Sequence, residues 1–334
     1  MNNLELLPSW FIIIYVVLFG LCAGSFLNVA IIRGLAGKEL IFERSHCPEC
    51  KNKLKWYMNI PLLSYLFLGG KCAFCKCKIS IQYPIVEFIT ALAFVVSYLT
   101  FGLTLKTLFI CIFFALFILM SATDFKETVI IDTHAYTLLI LGLLYSALGL
   151  GDINVNFALL GAFVGFIFFE AMARIGLLIA GCRMFGEGDS LIALGLGAIF
   201  GWKGLMIIIG LSILIQAFAT IPFLIVKSLK ENNKKLSFSY LFVALSVIFL
   251  TLMNEFNLIE NFHLYLGLTA FIIAFLLWAL KNILDEIKNK KLDDTKNEEE
   301  KFCLLPFGPA LLISATICIF YLPQIKNYIL NFIK

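Results

Sequence analysis

Two pairs of cysteines stand in a polar, basic stretch near the start of the chain. Cys47-Pro-Glu-Cys50 and Cys72-Ala-Phe-Cys75 are Cys-x-x-Cys pairs with 21 residues between the inner cysteines. Each such turn supplies two thiolates, and tetrahedral zinc needs four ligands. The spacing therefore predicts a closed, structural zinc site. Cys77 offers a fifth thiol, and spacing alone leaves open which four bind; reduced cysteines without metal, or an iron site, are the alternatives.

Two aspartates border long apolar runs. Asp124 follows the run 105–123, and Asp189 closes Gly186-Glu-Gly-Asp189 directly before the run 190–202. Carboxylates at a membrane edge are costly and are therefore functional candidates. Two carboxylates brought together cannot both ionise at low cost, so such a pair can activate water and protonate a leaving amine. Rival carboxylates that spacing does not exclude stand in the same two segments: Glu127, Asp132 and Glu187.

The composition places the chain in the membrane class. Of its 334 residues 61% are hydrophobic and 14% charged, with a mean hydropathy of +0.96, too little polar surface for a soluble protein of this length. Apolar runs long enough to span a bilayer begin near Trp10, Tyr83, Leu105, Thr133, Asn156, Gly204, Ser239, Leu264 and Cys303. The shorter run 190–202 makes the count nine or ten. We predict an all-α, polytopic helical membrane protein with a small zinc-knuckle loop, no internal repeat and no nucleotide-binding or nucleic-acid-binding motif.

The charge pattern predicts the orientation. The loop from Arg33 to Ser80 holds nine basic and three acidic residues, so it should be cytoplasmic, with the N-terminus outside. Ten spans then put Asp124, Asp189 and the basic stretch Lys227–Lys235 on the cytoplasmic side. The predicted divisions are a first span (1–32), the zinc loop (33–82), a membrane core (83–230), additional spans with a charged linker (231–301), and a last span with an amphipathic tail (302–334).

These segments occur in an order that resembles the type IV prepilin peptidase family of bifunctional membrane enzymes. The matching stretches are Gly24-Ser-Phe-Leu-Asn-Val29, Cys47-Pro-x-Cys50, Asn59–Tyr65, Gly70–Cys75, Tyr83-Pro-x-x-Glu87, Asp124, Gly186-x-Gly-Asp189 and Pro306-Phe-Gly-Pro309. Three features depart from the family. Ile131-Asp132 lacks the family's proline, Leu191 stands where the family has lysine, and the region from about 230 to 300 is longer than usual.

The resemblance implies two reactions in a bacterial inner membrane. Asp124 and Asp189 would cleave the basic leader of prepilins or pseudopilins after a glycine, at the cytoplasmic face. The new N-terminal residue would then be N-methylated from S-adenosylmethionine, an activity associated with the zinc loop. Glu87, one turn into a span, is expected either to contribute to cofactor binding or to pair with a basic residue of the loop.

Two other functions remain open at this stage. One is a peptidase that lacks methylation, and the other is a transporter or assembly protein with a zinc-stabilised loop. Glu170 and Arg174, four residues apart inside one run, are more simply explained as a self-neutralised pair than as an ion path. The sequence does not predict the oligomeric state or the pilin that is processed.

Overall fold

The structure is a computed structural model that describes residues 8–37, 45–47, 49–180, 185–230 and 307–333. Within these ranges the regular elements are helices, and one loop also contains two isolated β-bridges. They are α1 (Ser9–Leu35), a 3-10 turn (Trp56–Asn59), α2 (Leu63–Phe67), α3 (Gln82–Phe101), α4 (Leu105–Glu127), α5 (Asp132–Ala147), α6 (Val155–Ala180), α7 (Glu187–Lys230) and α8 (Gly308–Ile333).

Five of the described helices are long and apolar enough to cross a membrane: α1, α3, α4, α6 and α7. The apolar part of α8, Gly308–Leu322, is shorter, and α5 has 16 residues. The all-helical membrane architecture is thus confirmed for the described residues, while the count of nine to ten spans stays a prediction. The runs predicted from Ser239 and Leu264, and the charged linker, lie outside these residues.

α7 is broken at Gly201, where φ is 67° and ψ is 173°. A Cβ atom at Gly165 of α6 would lie 2.6 Å from the Ala193 carbonyl oxygen and 2.7 Å from Leu205 Cδ2. In a straight helix, residues this far apart in sequence would be about 18 Å apart along the axis. The two halves of α7 therefore fold back on each other at Gly201, a turn that needs the left-handed backbone glycine adopts freely. The break falls within the short apolar run 190–202.

Two hydrophobic clusters meet on opposite faces of α4. The larger one joins α4, α5, α6, α7 and α8, and its fully buried members include Phe113, Met120, Leu138, Leu196 and Leu311. The smaller one joins α1, α3 and α4. Close packing of these apolar side chains fixes the helix ends on which the polar candidates stand. The α1–α3 pair carries the cysteine loop between its helices, and the larger cluster carries both candidate aspartates.

Candidate active site and metal-binding loop

Asp189 lies in the first turn of α7. The Gly186 backbone N–H donates a 3.1 Å hydrogen bond to Asp189 Oδ2, and the Asp189 N–H donates to the Gly186 carbonyl oxygen at 3.2 Å. The side-chain bond is the half of a capping box in which the third helical residue binds the N-cap N–H. A carboxylate in this position also faces the positive end of the helix dipole. The local sequence Gly-x-Gly-Asp therefore fixes the orientation of this carboxyl group.

The second glycine of that motif, Gly188, is required by close packing. A Cβ atom there would lie 2.6 Å from Ile130 Cδ1, in the segment that joins α4 to α5. A side chain would push the first turn of α7 away from the end of α4, and Asp189 with it. The glycine keeps the two helix ends close.

Asp124 lies in the last turn of α4. The helix ends at Thr128, whose backbone is left-handed (φ 52°) and whose N–H donates to the Asp124 carbonyl oxygen at 2.9 Å. The Asp124 carboxyl group faces the backbone N–H of Gly308, the first residue of α8. A Cβ atom at Gly308 would lie 2.6 Å from Asp124 Oδ2. This carboxyl group, too, is directed at the start of a helix.

The structure brings these two carboxyl groups together. Asp124 is 5% exposed and Asp189 6% exposed, and each lies within electrostatic range of the other. Ile192, one turn after Asp189, lies 3.1 Å from the Cβ position of Gly308, so Gly308 packs against both helices. Asp124 Oδ2 is buried without a hydrogen-bond partner among the described residues. Two buried acids that influence each other do not both ionise at low cost, which suits acid–base chemistry on an amide bond.

Asp124 and Asp189 differ from the rival carboxylates in being buried. Glu127, Asp132 and Glu187 are all exposed, although each is within a few residues of a member of the pair. Exposed carboxylates are solvated, whereas buried ones are costly unless they have a role. The geometry thus favours Asp124 and Asp189 over their neighbours, a distinction that spacing alone did not make.

Three phenylalanines cluster at the start of α8. The ring centroids of Phe307 and Phe185 are 5.2 Å apart, those of Phe169 and Phe185 are 5.2 Å apart, and those of Phe169 and Phe307 are 6.0 Å apart. Edge-to-face rings at these distances attract each other beyond simple burial. Phe307 directly precedes Gly308, so the cluster holds the start of α8 against Asp124. In the sequence, only the motif at 306–309, which includes Phe307, pointed to this cluster. No sequence motif pointed to Phe169 or Phe185.

The cysteine loop brings the four predicted ligands together. The Sγ atoms of Cys47, Cys50, Cys72 and Cys75 all lie within 4.8 Å of one another. A tetrahedral zinc with Zn–S bonds of about 2.3 Å needs sulfurs about 3.8 Å apart. Cys47 and Cys72 are buried and Cys75 is exposed. The set has the donor atoms and the proximity for a metal such as zinc, whose tetrahedral coordination four thiolates would fill.

The two cysteine turns are built alike. Each turn pairs its flanks in an isolated antiparallel bridge, His46 with Lys53 and Lys71 with Lys78. Each also places a lysine in the left-handed region, with φ of 56° at Lys51 and 61° at Lys76. These shared features make the two turns equivalent halves of one site.

The thiols of the loop differ in acidity. The Cys50 backbone N–H, with that of Glu49, donates to the Cys47 sulfur and lowers the pKa of Cys47 to about 6. The neighbouring Cys75 thiol raises the pKa of Cys77 to about 12. A thiolate, not a thiol, is the metal ligand, and Cys47 and Cys75 both have a pKa below the usual value of a thiol.

Glu87 connects this loop to the membrane helices. Its side chain is 7% exposed, and Oε2 accepts a 2.8 Å hydrogen bond from the Leu62 backbone N–H; the Ser25 hydroxyl group also bonds to it. Leu62 has φ of 58°, a conformation that costs a branched residue free energy and needs support. A Cβ atom at Gly24 would lie 2.6 Å from Glu87 Cα. Glu87 thus anchors the loop where α1 packs directly on the backbone of α3.

Asn28 completes this polar cluster. Its Nδ2 atom donates to the Tyr83 carbonyl oxygen at 3.0 Å and to the Gly24 carbonyl oxygen at 3.3 Å. Its Oδ1 atom is buried and has no hydrogen-bond partner among the described residues. Three of the sequence motifs, those at 24–29, 59–65 and 83–87, therefore converge on one place at the end of the bilayer-length helices.

The helices and buried carboxyl pair define a multi-pass membrane protein with an acidic site at one end of its helix bundle. Residues 18–101 match the family described as Bacterial Peptidase A24 N-terminal domain, and residues 111–221 match the Type IV leader peptidase family. The chain belongs to this type IV leader peptidase family, and is thus a multi-pass bacterial membrane protein.

Several curated relatives carry the name Prepilin leader peptidase/N-methyltransferase. One from Aeromonas hydrophila is 31% identical over 260 residues, covering 70% of this chain and 89% of the relative. One from Neisseria gonorrhoeae is 31% identical over 251 residues, covering 68% and 87%. One from Myxococcus xanthus (strain DK1622) is 34% identical over 203 residues, covering 60% of each chain. None of the solved structures matches the chain.

Proposed function

We propose that this protein is a membrane aspartic endopeptidase that removes the basic leader of prepilins or pseudopilins and then N-methylates the new N-terminal residue. The relatives' names supply the two reactions. The observation that supports the site assignment is that Asp124 and Asp189 are both buried within electrostatic range of each other, each directed at the start of a helix.

The carboxyl pair supports amide hydrolysis in the following way. With one proton shared between them, the ionised carboxylate accepts a proton from a water molecule as that water adds to the scissile carbonyl carbon. The protonated carboxyl group then donates its proton to the leaving amine nitrogen as the C–N bond breaks. The proton belongs to the pair rather than to one residue, so both side chains are required in each turnover.

In this proposal the aspartates act at the membrane surface where a prepilin substrate would present its cleavage site. The segment 33–80 between α1 and α3 is basic, which supports a cytoplasmic position for it. A substrate with a basic cytoplasmic leader and an apolar helix would place the peptide bond between them at this membrane surface. We therefore assign the active site to the cytoplasmic face of the bacterial inner membrane, with the N-terminus outside.

Zinc and S-adenosylmethionine are the cofactors of the second reaction in this proposal. Cys47, Cys50, Cys72 and Cys75 would hold zinc, which supplies folding free energy to a loop with little apolar material of its own. The orphaned Oδ1 atom of Asn28 beside Glu87 offers a buried acceptor that fits a donor group of S-adenosylmethionine. Glu87 would act there chiefly by positioning the loop through Leu62.

A single incubation tests both activities. The purified protein, a prepilin-type precursor and S-adenosylmethionine are combined, and the product is read by mass spectrometry for leader loss and for methyl gain separately. Asp189→Asn should lose both, because methylation needs the new N-terminus, and Cys72→Ser should lose only the methyl gain. Cleaved, unmethylated product from the unaltered protein would show a peptidase without methyltransferase activity.

A further inference from the structure

The second cysteine turn carries a thiol that the first turn lacks. The Cys47 N–H donates to the Asn52 carbonyl oxygen at 3.0 Å, and the Cys72 N–H donates to the Cys77 carbonyl oxygen at 2.8 Å. Cys77 therefore occupies the position in its turn that Asn52 occupies in the other. The backbones are equivalent but the side chains are not, since asparagine offers an amide and cysteine offers a metal-binding sulfur.

The Cys77 sulfur lies next to the thiol cluster, beside two of its four sulfurs. Cys77 Sγ is 3.2 Å from Cys75 Sγ and 3.6 Å from Cys47 Sγ, whereas Cys75 Sγ is 3.9 Å from Cys47 Sγ. Ligand sulfurs around a tetrahedral zinc are about 3.8 Å apart. Cys77 Sγ is thus as near to Cys47 Sγ as Cys75 Sγ is, although Cys77 stands outside the set of four sulfurs that all lie within 4.8 Å of one another. It is a fifth thiol next to that set, beside the ligand it would replace.

We propose that Cys77 is a reserve metal ligand, so that the loop binds its metal through Cys47, Cys50 and Cys72 together with either Cys75 or Cys77. This inference rests on the proposed metal loop. Cys75 is the exposed ligand and Cys77 is half-buried, so an electrophile or oxidant reaches Cys75 first. Exchange of one thiolate for the other keeps four sulfur ligands on the metal and involves no electron transfer.

Cobalt substitution in the full-length, detergent-purified protein tests the proposal. Co²⁺ is the probe because its visible and charge-transfer absorption distinguishes four thiolate ligands from three. Cys75→Ser should keep the four-thiolate spectrum and one Co²⁺ per chain. Cys50→Ser, the matched change in the turn without a spare thiol, should give the weaker, blue-shifted three-thiolate spectrum. The double variant Cys75→Ser, Cys77→Ser should behave like Cys50→Ser, and Cys77→Ser alone should keep the four-thiolate spectrum.

Several results would overturn the reserve-ligand proposal. They are a Cys75→Ser spectrum equal to that of Cys50→Ser, a double variant that keeps four thiolates, or loss of the four-thiolate spectrum in Cys77→Ser alone. Failure of the unaltered protein to bind Co²⁺ would instead refute the proposed metal-binding loop, and the reserve-ligand proposal with it. The readout is the metal's absorption and does not depend on enzymatic activity. Failure of the protein to cleave or methylate a prepilin can therefore be told apart from failure of the reserve-ligand proposal.

Discussion

The anchoring of the cysteine loop by Glu87 yields a quantitative prediction. In Glu87→Ala the Leu62 N–H loses the acceptor that now lies 2.8 Å away in a nearly buried position. Leaving such a donor unpaired costs about 1–3 kcal/mol. Because Leu62 is held with φ of 58°, we expect this cost to appear as easier local opening of the loop rather than as global unfolding. Roughly 5- to 150-fold faster opening corresponds to that free energy.

Hydrogen–deuterium exchange of the full-length protein in detergent measures this opening directly. Peptides that cover residues 59–66 should exchange faster in Glu87→Ala, and those from α7 should not change. Glu87→Gln keeps an oxygen acceptor and should show a smaller effect. Thr90→Ala is the matched control, because that buried hydroxyl group donates within its own helix, to the Val86 carbonyl oxygen at 2.7 Å. Unchanged exchange of the 59–66 peptides in Glu87→Ala would refute the anchoring role.

Three further predictions follow from close contacts and from the metal site. Gly197→Val should lower the thermal midpoint of unfolding in detergent, because a Cβ atom there would overlap the Gly161 carbonyl group and overpacking costs about 1–3 kcal/mol. The control Gly210→Ala, at a site with open space, should be neutral or slightly stabilising. Equal midpoints for the two variants would contradict this packing. Gly308→Ala should slow prepilin cleavage at least severalfold, measured by gel mobility of the precursor, because its Cβ would lie 2.6 Å from an Asp124 oxygen; wild-type rates would count against the contact. Metal chelation should make the loop susceptible to protease while cleavage of the prepilin persists, and a loop equally resistant before and after chelation would argue against a structural metal.

Local sequence was enough to predict the helices and the cysteine cluster. Long apolar runs need internal backbone hydrogen bonding in a bilayer, so α1, α3, α4 and α6 begin within a residue or two of the predicted positions. The two Cys-x-x-Cys pairs likewise predicted the four sulfurs that lie together, although spacing alone left Cys77 open as a fifth thiol. These features depend on short-range physics that residue type and spacing encode.

Features that depend on tertiary contacts could not be predicted from the sequence. Choosing Asp124 and Asp189 over Glu127 and Asp132 by burial requires knowing which way each side chain faces when helix ends meet. The bond from Leu62 to Glu87 joins residues distant in sequence through a backbone N–H, which no residue-type pattern reveals. The contact of Gly308 with Asp124 brings the distal end of the described chain to the site, across a long intervening region.

Cleavage of a prepilin-type precursor by purified variants tests the central assignment most directly. Asp124→Asn and Asp189→Asn should each reduce the cleavage rate by at least about 100-fold, the typical contribution of a positioned acid or base. The exposed neighbours, changed as Asp132→Asn and Glu187→Gln, should cleave at near wild-type rates, with all four variants showing unaltered helix content and size-exclusion profiles. A folded Asp124→Asn or Asp189→Asn that cleaves normally, or loss of cleavage in an exposed-carboxylate variant instead, would contradict the buried pair as the catalytic site.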